Sequence, residues 1–95
     1  MQTDTNQKST IQQHPNLYFQ DGDVILSAPL PSDKGTTLLR VHRVVLSHHS
    51  PVFKDMFAFP SNPQVNEMLD GVPVVRMPDD GDELAGLISA FYNPE

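Results

Sequence analysis

The sequence contains no cysteine, so no disulfide bond can cross-link the fold and no thiolate can act as a nucleophile or a metal ligand. Basic residues are also few. Six lysines and arginines are scattered among twelve aspartates and glutamates, which gives a net charge of −6. A nucleic-acid-binding surface requires clustered lysine and arginine side chains, and we therefore predict no nucleic-acid partner.

Long apolar runs are missing as well. No stretch approaches the roughly 20 apolar residues of a membrane-spanning helix, and we predict no membrane interaction. Residues 1–13 lack the apolar core of a signal peptide. A chain without cysteine is compatible with a reducing compartment, and the expected location is the cytoplasm or the nucleus.

The patterns that catalysis or metal binding would require are absent too. His42, His48 and His49 lack the ligand set and spacing of a zinc site, and the acidic stretch 79–83 is too short for a calcium-binding loop. Ser50 has no G-x-S-x-G context, and the five glycines stand singly, so no phosphate-binding loop exists. We therefore predict no enzyme, no metal and no cofactor. A small metal-binding or hydrolytic protein is the least supported alternative.

The distribution of apolar residues predicts a disordered tail over residues 1–15 and one domain over residues 16–95. A first strand is predicted over residues 23–28. It is followed by a loop over residues 29–36 that is too long for a two-residue turn, and by an antiparallel strand over residues 37–42. A connector over residues 64–71 leads to a third predicted strand at residues 72–78, in which Pro73 and Pro78 mark either the strand ends or an edge strand.

Helices are predicted at three places. One apolar turn covers Val44–Leu46. Ser50 and Pro51 are a favourable N-cap and first residue for a helix that ends near residue 59. Near the end of the chain, Asp80 should cap a helix with a single apolar stripe. That stripe consists of Leu84, Leu87, Ile88, Phe91 and Tyr92.

The predicted core collects the inward-facing apolar residues of these elements. Its members are Val24, Leu26, Leu39, Val41, Leu46, Phe53, Met56, Phe57, Val75, Leu84, Leu87, Ile88 and Phe91.

Three blocks in a fixed order resemble the BTB/POZ domain family. They are Asp23–Val24–Ile25, the stretch from His42-Arg43 to Leu46, and Ser50–Phe57 with its S-x-x-F-x-x-M-F pattern. The resemblance covers about residues 17–92. The sequence of residues 46–53 is most similar to single-domain members of the family that are common in fungi. The resemblance implies an α+β fold in which helices pack on a small three-stranded sheet. It also implies an incomplete domain, truncated after the third helix, because the family's later C-terminal helices do not follow.

The resemblance implies a protein-interaction module that binds itself or other BTB proteins. The segment Leu17-Tyr18-Phe19 and the turn with Val44 and Leu46 match the family's dimer-forming elements. Asp23 and Arg43 match a charged pair that many transcription-factor members bury in a pocket beside the dimer. A pair that only maintains the fold is an equally open interpretation.

A role as substrate adaptor for a cullin-type ubiquitin ligase is the second alternative. Cullin-binding members of the family often carry a hydrophobic-x-Glu triplet before the next strand, and Val65-Asn66-Glu67 lies at that place. The neighbouring asparagine and prolines also fit an ordinary solvated connector. The resemblance thus makes Val65 and Glu67 candidate cullin contacts.

Overall fold

Five strands and three helices make up residues 10–58 and 67–93, the part of the chain that the computed structural model describes. In chain order they are β1 (Ile11–Tyr18), β2 (Val24–Pro29), β3 (Thr36–Val41), α1 (Arg43–His49), α2 (Pro51–Ala58), β4 (Glu67–Leu69), β5 (Val72–Arg76) and α3 (Gly81–Tyr92). The strands form one mixed sheet in the order β1-β3-β2-β5-β4. None of the described helices is long and apolar enough to cross a membrane.

The centre of the sheet agrees with the sequence. β2 and β3 pair antiparallel from Val24 opposite Val41 to Pro29 opposite Thr36, and the loop between them contains a single 3₁₀ turn. β5 joins the other side of β2 in parallel, as a crossover through α1 and α2 allows. The α+β class is confirmed.

The predicted number of strands is wrong, because the sheet has five strands instead of three. β1 pairs in parallel with β3, and β4 pairs antiparallel with β5. Both are edge strands with mostly exposed side chains, so neither shows the apolar alternation by which strands are recognised. Residues 11–15, which were expected in the disordered tail, form the first part of β1; residues 1–9 lie outside the described residues.

The two faces of the sheet carry separate apolar clusters. The inner face packs against all three helices, and residues such as Leu26, Leu39 and Val75 meet Leu46, Phe53 and Ile88 there. The outer cluster holds no helix residue among its members. It consists of Ile25, Leu38, Val72 and Val74, with Tyr18 packed against it.

Most of the predicted core is buried, with one error and one omission. Leu87 is 51% exposed, because the buried stripe of α3 runs through Leu84, Ala85 and Ile88 instead. Met56, Phe57 and Phe91 are only partly buried against the inner cluster. The outer cluster was missed because strand alternation predicts one apolar face, whereas β2 and β5 carry apolar residues on both.

The predicted helix starts are confirmed. The backbone N–H of Phe53 donates to the Ser50 hydroxyl at 3.3 Å. The Asp80 carboxylate accepts from the backbone N–H groups of Asp82 and Glu83 at 2.8 and 3.2 Å. Around Val44, the predicted single turn is a seven-residue helix, α1, which ends at the junction with α2.

A candidate protein-interaction surface

Three distant parts of the chain meet at His42, the residue before α1. Its backbone N–H donates to the hydroxyl oxygen of Tyr92 at 3.0 Å, and its ring Nδ1 lies 2.7 Å from the same oxygen. Ring Nε2 lies 2.9 Å from a carboxylate oxygen of Asp21. His42 thereby connects the start of α1 both to the last turn of α3 and to the turn before β2.

Donor and acceptor roles are fixed at two of these contacts. The Tyr92 oxygen accepts from the His42 backbone N–H, and ring Nε2 of His42 donates to Asp21, because an ionised carboxylate can only accept. Between ring Nδ1 and the Tyr92 hydroxyl, the donor depends on the tautomer of the imidazole. Burial raises the pKa of Tyr92 despite the backbone hydrogen bond, and the His42 hydrogen bond lowers the pKa of Asp21.

Phe19 completes the cluster from the end of β1. Its ring stacks on Tyr92 with centroids 4.9 Å apart, and it lies 5.4 Å from the ring of His42. The side chain is half-buried in these contacts. Phe19, which the family resemblance assigns to the dimer interface, therefore packs within its own chain.

Asp23 and Arg43, which the family resemblance matches to a charged pair, contact each other in the structure. The backbone N–H of Arg43 donates to one carboxylate oxygen of Asp23 at 2.8 Å, and its Nε donates to the other at 3.2 Å. Partial burial opposes ionisation of Asp23, but these hydrogen bonds outweigh it and lower the pKa. The two side chains are 50% and 49% exposed, so the pair lies on the surface of the single chain and not in a buried pocket.

A shallow apolar groove of about 410 Å³ runs between α1 and the end of α3. We call it the α1–α3 groove, and it is lined by Val44, Val45, His48, His49, Phe91 and Tyr92. The His49 ring stacks on Phe91 with centroids 5.0 Å apart and 9° between the planes, and His48 meets His49 edge-on. No Asp, Glu, Lys or Arg is among these lining residues.

The remaining predicted interface residues are divided between the surface and the interior. Val44 is 74% exposed at the groove, whereas Leu17 and Leu46 are 3% and 0% exposed and belong to the inner core. Tyr18 packs on the outer face of the sheet. The apolar character of these residues predicted that their side chains would be buried in a contact. It did not predict whether that contact lies within the chain or with a partner.

Sequence reasoning missed the contribution of His49 and Phe91 to the groove. In the sequence, His48 and His49 were considered as metal ligands. Both are exposed at the end of α1, where the His49 ring stacks on Phe91 and the His48 ring meets it edge-on. Phe91 was expected in the core. The sequence did contain a signal for the position of Phe91. The apolar stripe of α3 continues to Tyr92, beyond the residues of the helix that are buried against the sheet.

A second concave region lies on the outer face of the sheet, with a volume of about 530 Å³. Ile11, Leu38 and Val74 line it, and Glu67 and Arg76 form an ion pair there through two hydrogen bonds, one of them 3.1 Å long. The Arg76 hydrogen bond lowers the pKa of Glu67, and the reverse contact raises that of Arg76.

This ion pair bears on the cullin alternative. A cullin that bound Glu67 would have to compete with Arg76 for its carboxylate, and Val65 lies outside the described residues. Cullin contact through Val65 and Glu67 stays a prediction.

Comparison with known proteins gives one family. A family model described as BTB/POZ domain matches residues 23–77, which is 55 of the 95 residues. The match runs from the start of β2 to the end of β5 and therefore includes α1, which forms one wall of the groove. A search of curated proteins and a search of solved structures each gave no significant match.

Proposed function

The chain belongs to the BTB/POZ domain family, whose members are protein-interaction modules and generally non-catalytic, and we propose that it binds a second copy of itself through the α1–α3 groove. A related BTB domain with a similar groove would be the corresponding hetero-partner. The observation that carries the proposal is an apolar groove with no Asp, Glu, Lys or Arg in its lining, in which Val44 is 74% exposed.

The shape and charge of this surface favour a two-fold arrangement. In a two-fold dimer, each copy presents the same patch, so a protruding side chain must fit a concavity on the same surface. Val44 supplies the protrusion and the wall formed by Phe91 and Tyr92 supplies the concavity. Two chains of net charge −6 repel each other, and a patch without acidic side chains is where they can approach most closely.

Sedimentation velocity or light scattering over a dilution series tests the proposal. Val44→Glu places a charge in the groove and should convert a wild-type dimer into a monomer, because an unpaired carboxylate is costly to bury. Val52→Glu is the matched control. Val52 is 70% exposed on α2 and does not line the groove, so this variant should remain a dimer.

Circular dichroism should show an unchanged fold for both variants, since each position is exposed. A wild-type chain that is monomeric at all concentrations, or a dimer that persists in Val44→Glu, would overturn the proposal.

A further inference from the structure

We propose that self-association through the α1–α3 groove is switched by pH through His48 and His49, so that the dimer weakens on acidification. The inference rests on the proposed function and specifies its regulation. It starts from geometry: two consecutive imidazole rings line a groove whose other walls are valine, phenylalanine and tyrosine. The His49 ring lies flat against Phe91, which places it at the contact surface itself.

No acidic side chain is placed to neutralise these histidines. Neither His48 nor His49 forms an ion pair in the described part of the chain, and the only other titratable group lining the groove is Tyr92. On α1 itself the remaining charge is Arg43, which is paired with Asp23 at the opposite end of the helix.

The elements packed against α1 add little compensation. α2 contributes Lys54 and Asp55, both exposed and opposite in sign. The acidic residues of α3, Asp82 and Glu83, lie in its first turn, whereas Phe91 is near its last residue, about 12 Å further along the helix. At the other side of the cluster, His42 donates to Asp21 and faces Tyr92 rather than the two groove histidines.

The occupant that makes the histidines act as a switch is a second copy. A two-fold arrangement of the groove against itself brings four imidazoles into one contact region. When they are neutral, the region is uncharged and its rings bury apolar surface. When they are protonated, each dimer must desolvate several like charges without counter-charges, and the separate chains are favoured.

The direction of the pH effect follows from proton linkage. The separate chains hold His48 and His49 in water and bind protons more readily than a dimer that desolvates them. Acidification therefore favours the form that binds more protons, which is the monomer, and the dissociation constant rises as pH falls.

The experiment is sedimentation equilibrium of the full chain at about pH 8 and about pH 6, within the range in which histidine side chains change charge. The lower limit stays above the sequence isoelectric point of about 4.9, where loss of net charge promotes precipitation. For the wild type we expect the dissociation constant to rise by about tenfold or more at the lower pH.

A double variant, His48→Gln/His49→Gln, assigns the effect to these two residues. Glutamine cannot be protonated, so this variant should dimerise equally at both pH values. It retains His14 and His42, and a pH dependence that survives in it would overturn the inference by assigning the effect elsewhere. Circular dichroism at each pH separates dissociation from unfolding.

The remaining outcomes separate the two proposals. A wild-type dimer that Val44→Glu disrupts but that is insensitive to pH would overturn the switch and leave the groove as the interface. A dimer that Val44→Glu does not disrupt would overturn the interface, and the histidine switch with it.

Discussion

The backbone N–H of Arg43, the first residue of α1, donates to the carboxylate of Asp23, twenty residues earlier in the chain. His42, the N-cap residue of α1, makes no side-chain capping hydrogen bond. The carboxylate of the residue that precedes β2 thus satisfies one of the donors at this helix start and interacts favourably with the helix dipole. The pair is a long-range cap that also joins the sheet to α1.

Asp23→Ala should therefore destabilise the fold by about 1 kcal/mol, the usual cost of losing an N-cap, and lower the melting temperature by several degrees. A fully buried ion pair would cost more, about 3–5 kcal/mol, but both side chains are half-exposed. Thermal unfolding measures the change.

Asp55→Ala is the matched control for this substitution. Asp55 is exposed on α2, and its replacement should leave the melting temperature unchanged or slightly higher. Asp33 is less suitable because its φ of 58° disfavours alanine. Equal melting temperatures for Asp23→Ala and Asp55→Ala would contradict the capping role.

Acid should remove the contribution of Asp23. Its pKa in the folded state lies below the ordinary aspartate value of 3.8, so the unfolded chain takes up the proton first as pH falls. The contribution of Asp23 to the free energy of unfolding should be constant above about pH 5. It should decline as pH falls through the ordinary aspartate value and be lost below the folded-state pKa.

Urea titrations at several pH values test this. Asp23→Asn should show a smaller decline than the wild type over that interval. An identical decline in both proteins would assign the acid sensitivity to other carboxylates, such as Asp21.

Two tyrosines allow a paired test of the cluster at His42. Tyr92→Phe removes the hydroxyl that bonds to both the backbone N–H and Nδ1 of His42, and should cost about 1–2 kcal/mol. Tyr18→Phe removes a hydroxyl that is buried without a hydrogen-bond partner in the described part of the chain. That change should be neutral or stabilising, because no bond is lost and a desolvated polar group is removed.

Urea unfolding of the two variants gives the comparison. A Tyr92→Phe chain as stable as the wild type would argue against the hydrogen bonds at His42.

Gly35 is required by both its backbone and its surroundings. Its φ is +108°, and an added Cβ would lie 2.2 Å from the backbone oxygen of Thr10, at the point where the chain enters β1. Gly35→Ala should cost about 1–3 kcal/mol and increase hydrogen exchange in β1. Gly86→Ala is the control, since Gly86 is on α3 with open space around it; this change should stabilise the helix by up to about 1 kcal/mol. Similar effects of the two substitutions would contradict the role of Gly35.

The sequence predicted the parts of this fold that depend on local chemistry. Ser50 and Asp80 are caps because their side chains reach N–H groups only three residues away. β1 could not be found in this way. Its stabilising bonds go to β3, about 25 residues away, and its exposed side chains, Ile11 among them, follow no apolar alternation.

For the candidate site, matched sequence blocks indicated which residues to consider, but the burial of each residue depends on contacts that the sequence does not show. The family blocks placed Asp23 beside Arg43, and the structure brings them together. Leu17 and Val44 looked equivalent in the sequence, since both are aliphatic and close to matched blocks. Only the three-dimensional packing shows that Leu17 is buried in the inner cluster while Val44 stays exposed.

The bonds between His42 and Tyr92 also bear on folding kinetics. They close a loop of 50 residues, so the chain loses closure entropy before these bonds can form, and we expect them to be absent from the transition state. A contact that forms after the transition state changes the unfolding rate more than the folding rate. The hydrogen bonds between His42 and Tyr92 therefore determine the lifetime of the folded chain more than the rate at which it folds.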